Sequence, residues 1–66
     1  MRLMVNGATR AIEDVIDVAG LVALLTVAER GVAVAVNGEV VPRSRWAAVA
    51  LRDGDRVEVL TAAQGG

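Results

Sequence analysis

Few groups in this 66-residue sequence are able to do chemistry, and each is a carboxylate, a lone hydroxyl or a chain end. Asp53-Gly54-Asp55 sets two carboxylates two positions apart. Such a pair offers a hard cation only a weak site and is far more in keeping with plain turn chemistry. Glu13, Asp14 and Asp17 form a second acidic group, read most economically as a solvated loop leading into a helix cap, although a basic partner surface could also use it. Ser44 has no His to activate it as a nucleophile. Gly65-Gly66 remains. Fully extended, the last six residues reach about 20 Å, and an end without side chains can enter a channel that any Cβ would block. The reactive group would then be the Gly66 carboxylate, worked on by the active site of another protein.

Composition narrows the field in the same direction. Seven basic and eight acidic side chains give a formal net charge of -1, and the sequence has neither His nor Cys. Thiolate chemistry, disulfides and zinc knuckles are thereby excluded, as is the side chain best suited to proton transfer near neutral pH. All seven basic residues are Arg, so the chain has no lysine to accept an isopeptide bond. The dispersed charges lack the positive surface that nucleic-acid binding requires. A chain of this length supports one small core with no room for an enclosed active site. The longest nearly uncharged stretch, Val18 to Ala28, falls short of the roughly 20 residues of a bilayer-spanning helix, and no signal-like segment precedes it. The expectation is a cytoplasmic, non-enzymatic monomer that binds neither membrane nor nucleic acid.

The elements that must present such an end follow from the hydrophobic pattern. Arg2 to Asn6 and Thr9 to Ile12 read as two strands joined at Asn6-Gly7, the pair preferred in tight hairpins. Val18, Leu21, Val22 and Leu25 lie at helical spacing, with Asp17 as N-cap, Gly31 as the stop after Glu29-Arg30, and Gly20 as a weak point within the helix. Val32 to Val36 alternates Val and Ala, predicting a strand with its Val face inward. Asn37-Gly38 turns the chain into the short extended piece Val40-Val41, which Pro42 ends. Arg43 to Ala50 reads as a helical turn carrying Trp46, a packing anchor among small side chains, and Arg56 to Leu60 as the last strand. Thirteen Val and twelve Ala suit such a strand-rich core. The fold class is therefore α+β, a mixed sheet of four to five strands with one main helix on one face. Residues 1–60 form the domain and residues 61–66 a flexible tail.

Taken together, these pieces resemble the ThiS family of sulfur carrier proteins of thiamine biosynthesis. The likeness rests on the β-grasp order, the segment holding Asn37, Gly38, Val41, Pro42, Arg43 and Trp46, the run from Asp53 to Leu60, and the final Gly65-Gly66. It covers essentially the whole chain. The Val-Pro-Arg and Trp segment sets it apart from the small subunit of molybdopterin synthase, which shares the fold and the glycine end. Gly20 and the acidic stretch Glu13 to Asp17 depart from the family pattern, at the helix boundary only.

The resemblance implies a ubiquitin-like β-grasp roll and a function with no bound cofactor. A ThiF-like adenylyltransferase would use ATP and Mg²⁺ to convert the Gly66 carboxylate to an acyl-adenylate. Sulfur from a persulfide donor would then displace AMP, and the Gly66 thiocarboxylate would supply a ThiG-like thiazole synthase. Gly65 and Gln64 would be read with it as the tail. If Leu3, Val5, Val57 and Val59 face the helix, then Met4, Ala33, Ala35, Glu58 and Leu60 face away, forming a shallow apolar patch for docking these partners. Two other readings fit the same residues: a related carrier for molybdopterin synthesis, cysteine synthesis or protein conjugation, and a β-grasp interaction or RNA-binding module with an inert tail.

Overall fold

A computed structural model describes residues 1–25 and 30–62 of the chain. The strands are β1 (Arg2–Val5), β2 (Ala8–Ala11), β3 (Val32–Val36), β4 (Glu39–Val41) and β5 (Arg56–Thr61), with one α-helix, α1 (Val18–Leu25), and a 3₁₀ helix at Arg43–Ala48. The strands form one sheet in the order β2-β1-β5-β3-β4. β1 and β5 run parallel and every other neighbouring pair is antiparallel. This is the expected β-grasp roll, with five strands.

Local chemistry sets the element boundaries. Asn6-Gly7 and Asn37-Gly38 both take positive φ at both residues (50 and 83°, 51 and 86°), the geometry a two-residue hairpin needs. The first pairs Val5 with Ala8, so β2 begins one residue earlier than the sequence suggests. Asp17 is the N-cap of α1: its Oδ1 accepts the Gly20 N–H at 2.7 Å, and its carbonyl accepts the Leu21 N–H at 3.0 Å. Gly31 has a positive φ of 68°, the conformation a stop glycine adopts, while residues 26–29, between α1 and the expected stop, lie outside the described residues. Pro42 closes β4 and precedes the 3₁₀ helix.

The core is one-sided. Leu3, Val5, Val34, Val41, Val57 and Val59 point from the sheet onto Val18, Leu21 and Val22 of α1, with Trp46 and Leu51 closing the end. The Val face of β3 does turn inward, with Val34 buried and Val32 and Val36 half-buried. The segment around Trp46 is a 3₁₀ helix that ends at Ala48. Ala50, expected within the turn, instead forms a bridge with Asp17, flanked by Val18 N–H to Val49 O at 3.0 Å and Leu51 N–H to Ile16 O at 2.9 Å. These bonds fix where α1 starts over the sheet.

One boundary differs from the sequence reading. The domain extends past Leu60: Thr61 belongs to β5 opposite Val32, and the Ala62 N–H donates to the Gly31 carbonyl at 2.7 Å. The reason is that β3 starts at Val32 and still has backbone groups to pair at this end, so the sheet captures two residues expected in the tail. Gln64, Gly65 and Gly66 lie outside the described residues.

Candidate functional site

Strand alternation decides which side chains are left uncovered. With Leu3, Val5, Val57 and Val59 committed to the core, Met4, Arg56, Glu58 and Leu60 must emerge on the opposite face. The register then sets Ala33 beside Leu60, Ala35 beside Glu58, and Val40 beside Ala35. No helix among the described residues covers this side. A shallow depression of about 580 Å³ lies there, walled by Ala33, Ala35, Val40, Arg56, Glu58 and Leu60, with the Asn6-Gly7 turn at its rim. Four of the five residues expected in the patch therefore come together. The fifth, Met4, is on the same face opposite Arg56, exposed but outside the depression's wall.

Sequence reading missed Val40 and Arg56. Both were legible: Val40 alternates with the buried Val41, and Arg56 is two residues before Glu58. Val40 and Leu60 are 77% and 70% exposed, the apolar side chains that make this face a candidate for contact with a partner. Leu60 is also two residues from Ala62, so the patch lies beside the stretch of chain that leads on to Gln64, Gly65 and Gly66.

The family-motif residues lie elsewhere and hold the frame. The Trp46 indole N–H donates to the Val41 carbonyl at 2.9 Å, and the Arg43 guanidinium carbon sits 5.2 Å above the ring. Asn37 braces its turn against β5: its Oδ1 accepts the Arg56 N–H at 3.0 Å and its Nδ2 donates to Asp55 Oδ1 at 3.0 Å. The Asp53-Gly54-Asp55 carboxylates do turn chemistry. Asp53 Oδ1 accepts the Arg2 N–H at 2.6 Å, and Asp55 Oδ2 accepts the Arg52 N–H at 2.8 Å. Among the described residues no group of three or more acidic side chains is placed to hold a metal ion.

Sequence reading also missed a clamp by Asn6. Its side chain accepts the Val59 N–H at 2.8 Å and donates to the Val59 carbonyl at 3.1 Å. β1 itself pairs with β5 only as far as Val5, so the Asn6 amide extends the ladder like a further peptide unit toward the tail root.

The comparisons with known proteins agree with this architecture. Residues 3–66 match the model of the ThiS family. The crystal structure of a thiamine biosynthesis protein (ThiS) from Geobacter metallireducens superposes with a TM-score of 0.81 at 38% identity, covering 92% of this chain and 93% of that one. An NMR solution structure of a thiamine biosynthesis protein from the same organism gives 0.79 at 38% identity, covering 91% and 81%. A protein named thiazole synthase from Paramagnetospirillum magneticum is 41% identical over all 66 residues, and the chain spans 20% of its length. On a match that runs nearly end to end, with the fold to go with it, the chain belongs to the ThiS family.

Proposed function

We propose that this protein is a sulfur carrier for thiazole formation in thiamine biosynthesis, a co-substrate of other enzymes with no catalysis of its own. The observation that carries the reading is the family match, which runs from residue 3 through Gly66 and so includes the tail glycines. The Gly66 carboxylate attacks the α-phosphorus of ATP on a ThiF-like, Mg²⁺-dependent adenylyltransferase, and pyrophosphate leaves. A protein persulfide then attacks the acyl carbon through its terminal sulfur and expels AMP. A second thiol cleaves the resulting acyl disulfide, leaving a disulfide on the donor side and a thiocarboxylate on Gly66. The thiocarboxylate supplies sulfur to a ThiG-like synthase.

The uncovered sheet face is the docking surface in this reading, with Ala33, Ala35, Val40 and Leu60 as its apolar floor and Arg56 and Glu58 as its charges. Its position beside the tail root would let one contact hold the domain while Gln64, Gly65 and Gly66 enter the partner's channel. The relative named thiazole synthase supports the last step, since it carries a segment like this chain within a protein five times as long.

The test is intact-mass analysis of the chain after incubation with the adenylyltransferase, ATP, Mg²⁺ and a persulfide donor. Exchange of one oxygen for sulfur, abolished by deleting Gly66, is the expected result. A chain that forms no adenylate and takes up no sulfur would overturn the proposal. Transfer of the sulfur to a molybdopterin precursor in place of the thiazole would reassign the pathway.

A further inference from the structure

The asparagines of this chain are Asn6 and Asn37, and both sit in the same tripeptide, Val5-Asn6-Gly7 and Val36-Asn37-Gly38. An Asn followed by Gly is chemically labile, because a residue without a side chain lets its backbone nitrogen approach the Asn side-chain carbonyl carbon. The nitrogen attacks that carbon, ammonia leaves, and a succinimide ring closes. Water then opens the ring at either carbonyl, giving aspartate or, with the backbone rerouted through the side chain, isoaspartate. The sum is water consumed and ammonia released, with no oxidant or metal required. Identical immediate neighbours match the two sites in intrinsic reactivity, so a difference between them in the folded protein has to come from the fold.

The two turns share their backbone geometry. Each Asn is the first residue of a two-residue hairpin turn with φ near 50°, and a Cβ at either glycine would meet nothing within 4 Å, so both turns stand open to water. Both hairpins also end in an edge strand, β2 in one and β4 in the other. What differs is the anchor of the side chain, which must let go before the ring can close. Asn6 holds both backbone groups of Val59 in a partly buried place, and releasing it leaves those groups without a partner. Asn37 holds the Arg56 N–H and Asp55 Oδ1 at exposed positions, where water replaces each bond as it breaks.

We propose that Asn37 is a site of spontaneous deamidation in the folded protein, that the Asn6 clamp protects the matching site, and that the product at position 37 impairs the open sheet face as a docking surface. Only the last part rests on the carrier reading. Aspartate at 37 sets a carboxylate where the amide donated to Asp55 at 3.0 Å, replacing a hydrogen bond with a like-charge contact. Isoaspartate in addition lengthens the backbone of a turn whose length fixes the pairing of Val36 with Glu39 and of Ala35 with Val40. Val40 follows this turn and Arg56 bonds to it, and both wall the open-face depression. A lesion at 37 therefore reaches the docking surface without altering any residue on it. A carrier that is discharged and reused persists through many cycles, long enough for a slow reaction to accumulate. Because exposed anchors are replaced by water and partly buried ones are not, native Asn37 should react at least about fivefold faster than native Asn6.

The test incubates the full chain in native buffer and, in parallel, in concentrated urea. The tryptic peptides Leu3–Arg10 and Gly31–Arg43 carry one Asn each, so their mass shifts report the two sites separately. Each native rate is divided by the rate of the same site in urea, which removes any intrinsic difference. The expected result is a ratio for Asn37 at least about fivefold above that for Asn6. Equal ratios, a higher ratio for Asn6, or an unreactive native Asn37 would overturn the assignment.

A second arm titrates the adenylyltransferase calorimetrically with fresh and natively aged chain, alongside Asn37→Gly, which has no amide to lose. The binding-competent fraction of the wild type should fall in step with conversion at position 37, while Asn37→Gly binds after ageing as it did before. Full binding by converted wild type, or an equal loss in Asn37→Gly, would overturn the effect on docking. A fresh chain that fails to bind the adenylyltransferase would instead count against the carrier reading, with the peptide rates still deciding the site.

Discussion

Asn6 and Asn37 stand at the same place in two hairpins, with φ near 50° in both, and each spends its side chain on β5. They are not equivalent. The bonds from Asn6 to Val59 are partly buried, whereas those from Asn37 to Arg56 and Asp55 are exposed, where water can replace a lost partner. Replacing Asn6 by Gly keeps the backbone geometry and removes two hydrogen bonds, an expected loss of about 2 kcal/mol. Asn6→Ala should lose about 3 kcal/mol, because Ala also resists the left-handed conformation. Asn37→Gly should lose no more than about 1 kcal/mol. Urea unfolding at constant slope measures all three. An Asn6→Gly variant as stable as the wild type would show that the amide ladder contributes nothing. The sequence marks both residues as turn formers, through the Gly that follows each. It hides the clamp, since Asn6 and Val59 are 53 residues apart and only the parallel pairing of β1 with β5 brings them together.

At the scale of the helix, Gly20 changes meaning. Propensity alone makes it a defect worth about 1 kcal/mol. In the structure a Cβ at this position would sit 2.6 Å from Ile16 Cγ1, 3.1 Å from Ile16 Cδ1 and 3.3 Å from the capping Asp17 Oδ1. Ile16 is half-buried against the core, and its carbonyl accepts the Leu51 N–H, so it cannot withdraw freely. The glycine therefore admits the chain that enters the helix. Gly20→Ala in the wild type is expected to lower stability by about 1 kcal/mol, overpacking outweighing propensity. In an Ile16→Ala background the same change should raise it by up to about 1 kcal/mol. A double-mutant cycle by thermal or urea unfolding checks the sign reversal, and additive effects would refute the steric account.

The example also marks how far the sequence is legible at this scale. Helical spacing, the Asp17 cap, the Asn-Gly hairpins and the Val/Ala alternation announce every element but leave the strand order open. Contacts such as Ile16 over Gly20, or Ala50 pairing with Asp17, depend on how separate elements meet, and no local pattern encodes them.

For the whole molecule the decisive feature is asymmetry: one sheet face carries the helix and the other carries none among the described residues. Alternation along β3 and β5 was enough to anticipate most of the uncovered face, because burying Val34, Val57 and Val59 forces Ala33, Ala35, Glu58 and Leu60 outward. If that face docks the adenylyltransferase, Leu60→Asp must weaken the complex without unfolding the domain, since Leu60 is already 70% exposed. Losing the burial of a leucine side chain is worth about 2 kcal/mol, and setting a carboxylate in its place adds a desolvation cost, so Kd should rise by at least about tenfold. Leu24→Asp is the matched control, being an equally apolar and 63% exposed residue on the helix, away from the patch. Calorimetric titration of the adenylyltransferase with both variants separates the possibilities. Selective loss with Leu60→Asp ties recognition to the open sheet face, whereas equal affinities for the two variants would move docking to another surface and leave the tail to be recognised alone.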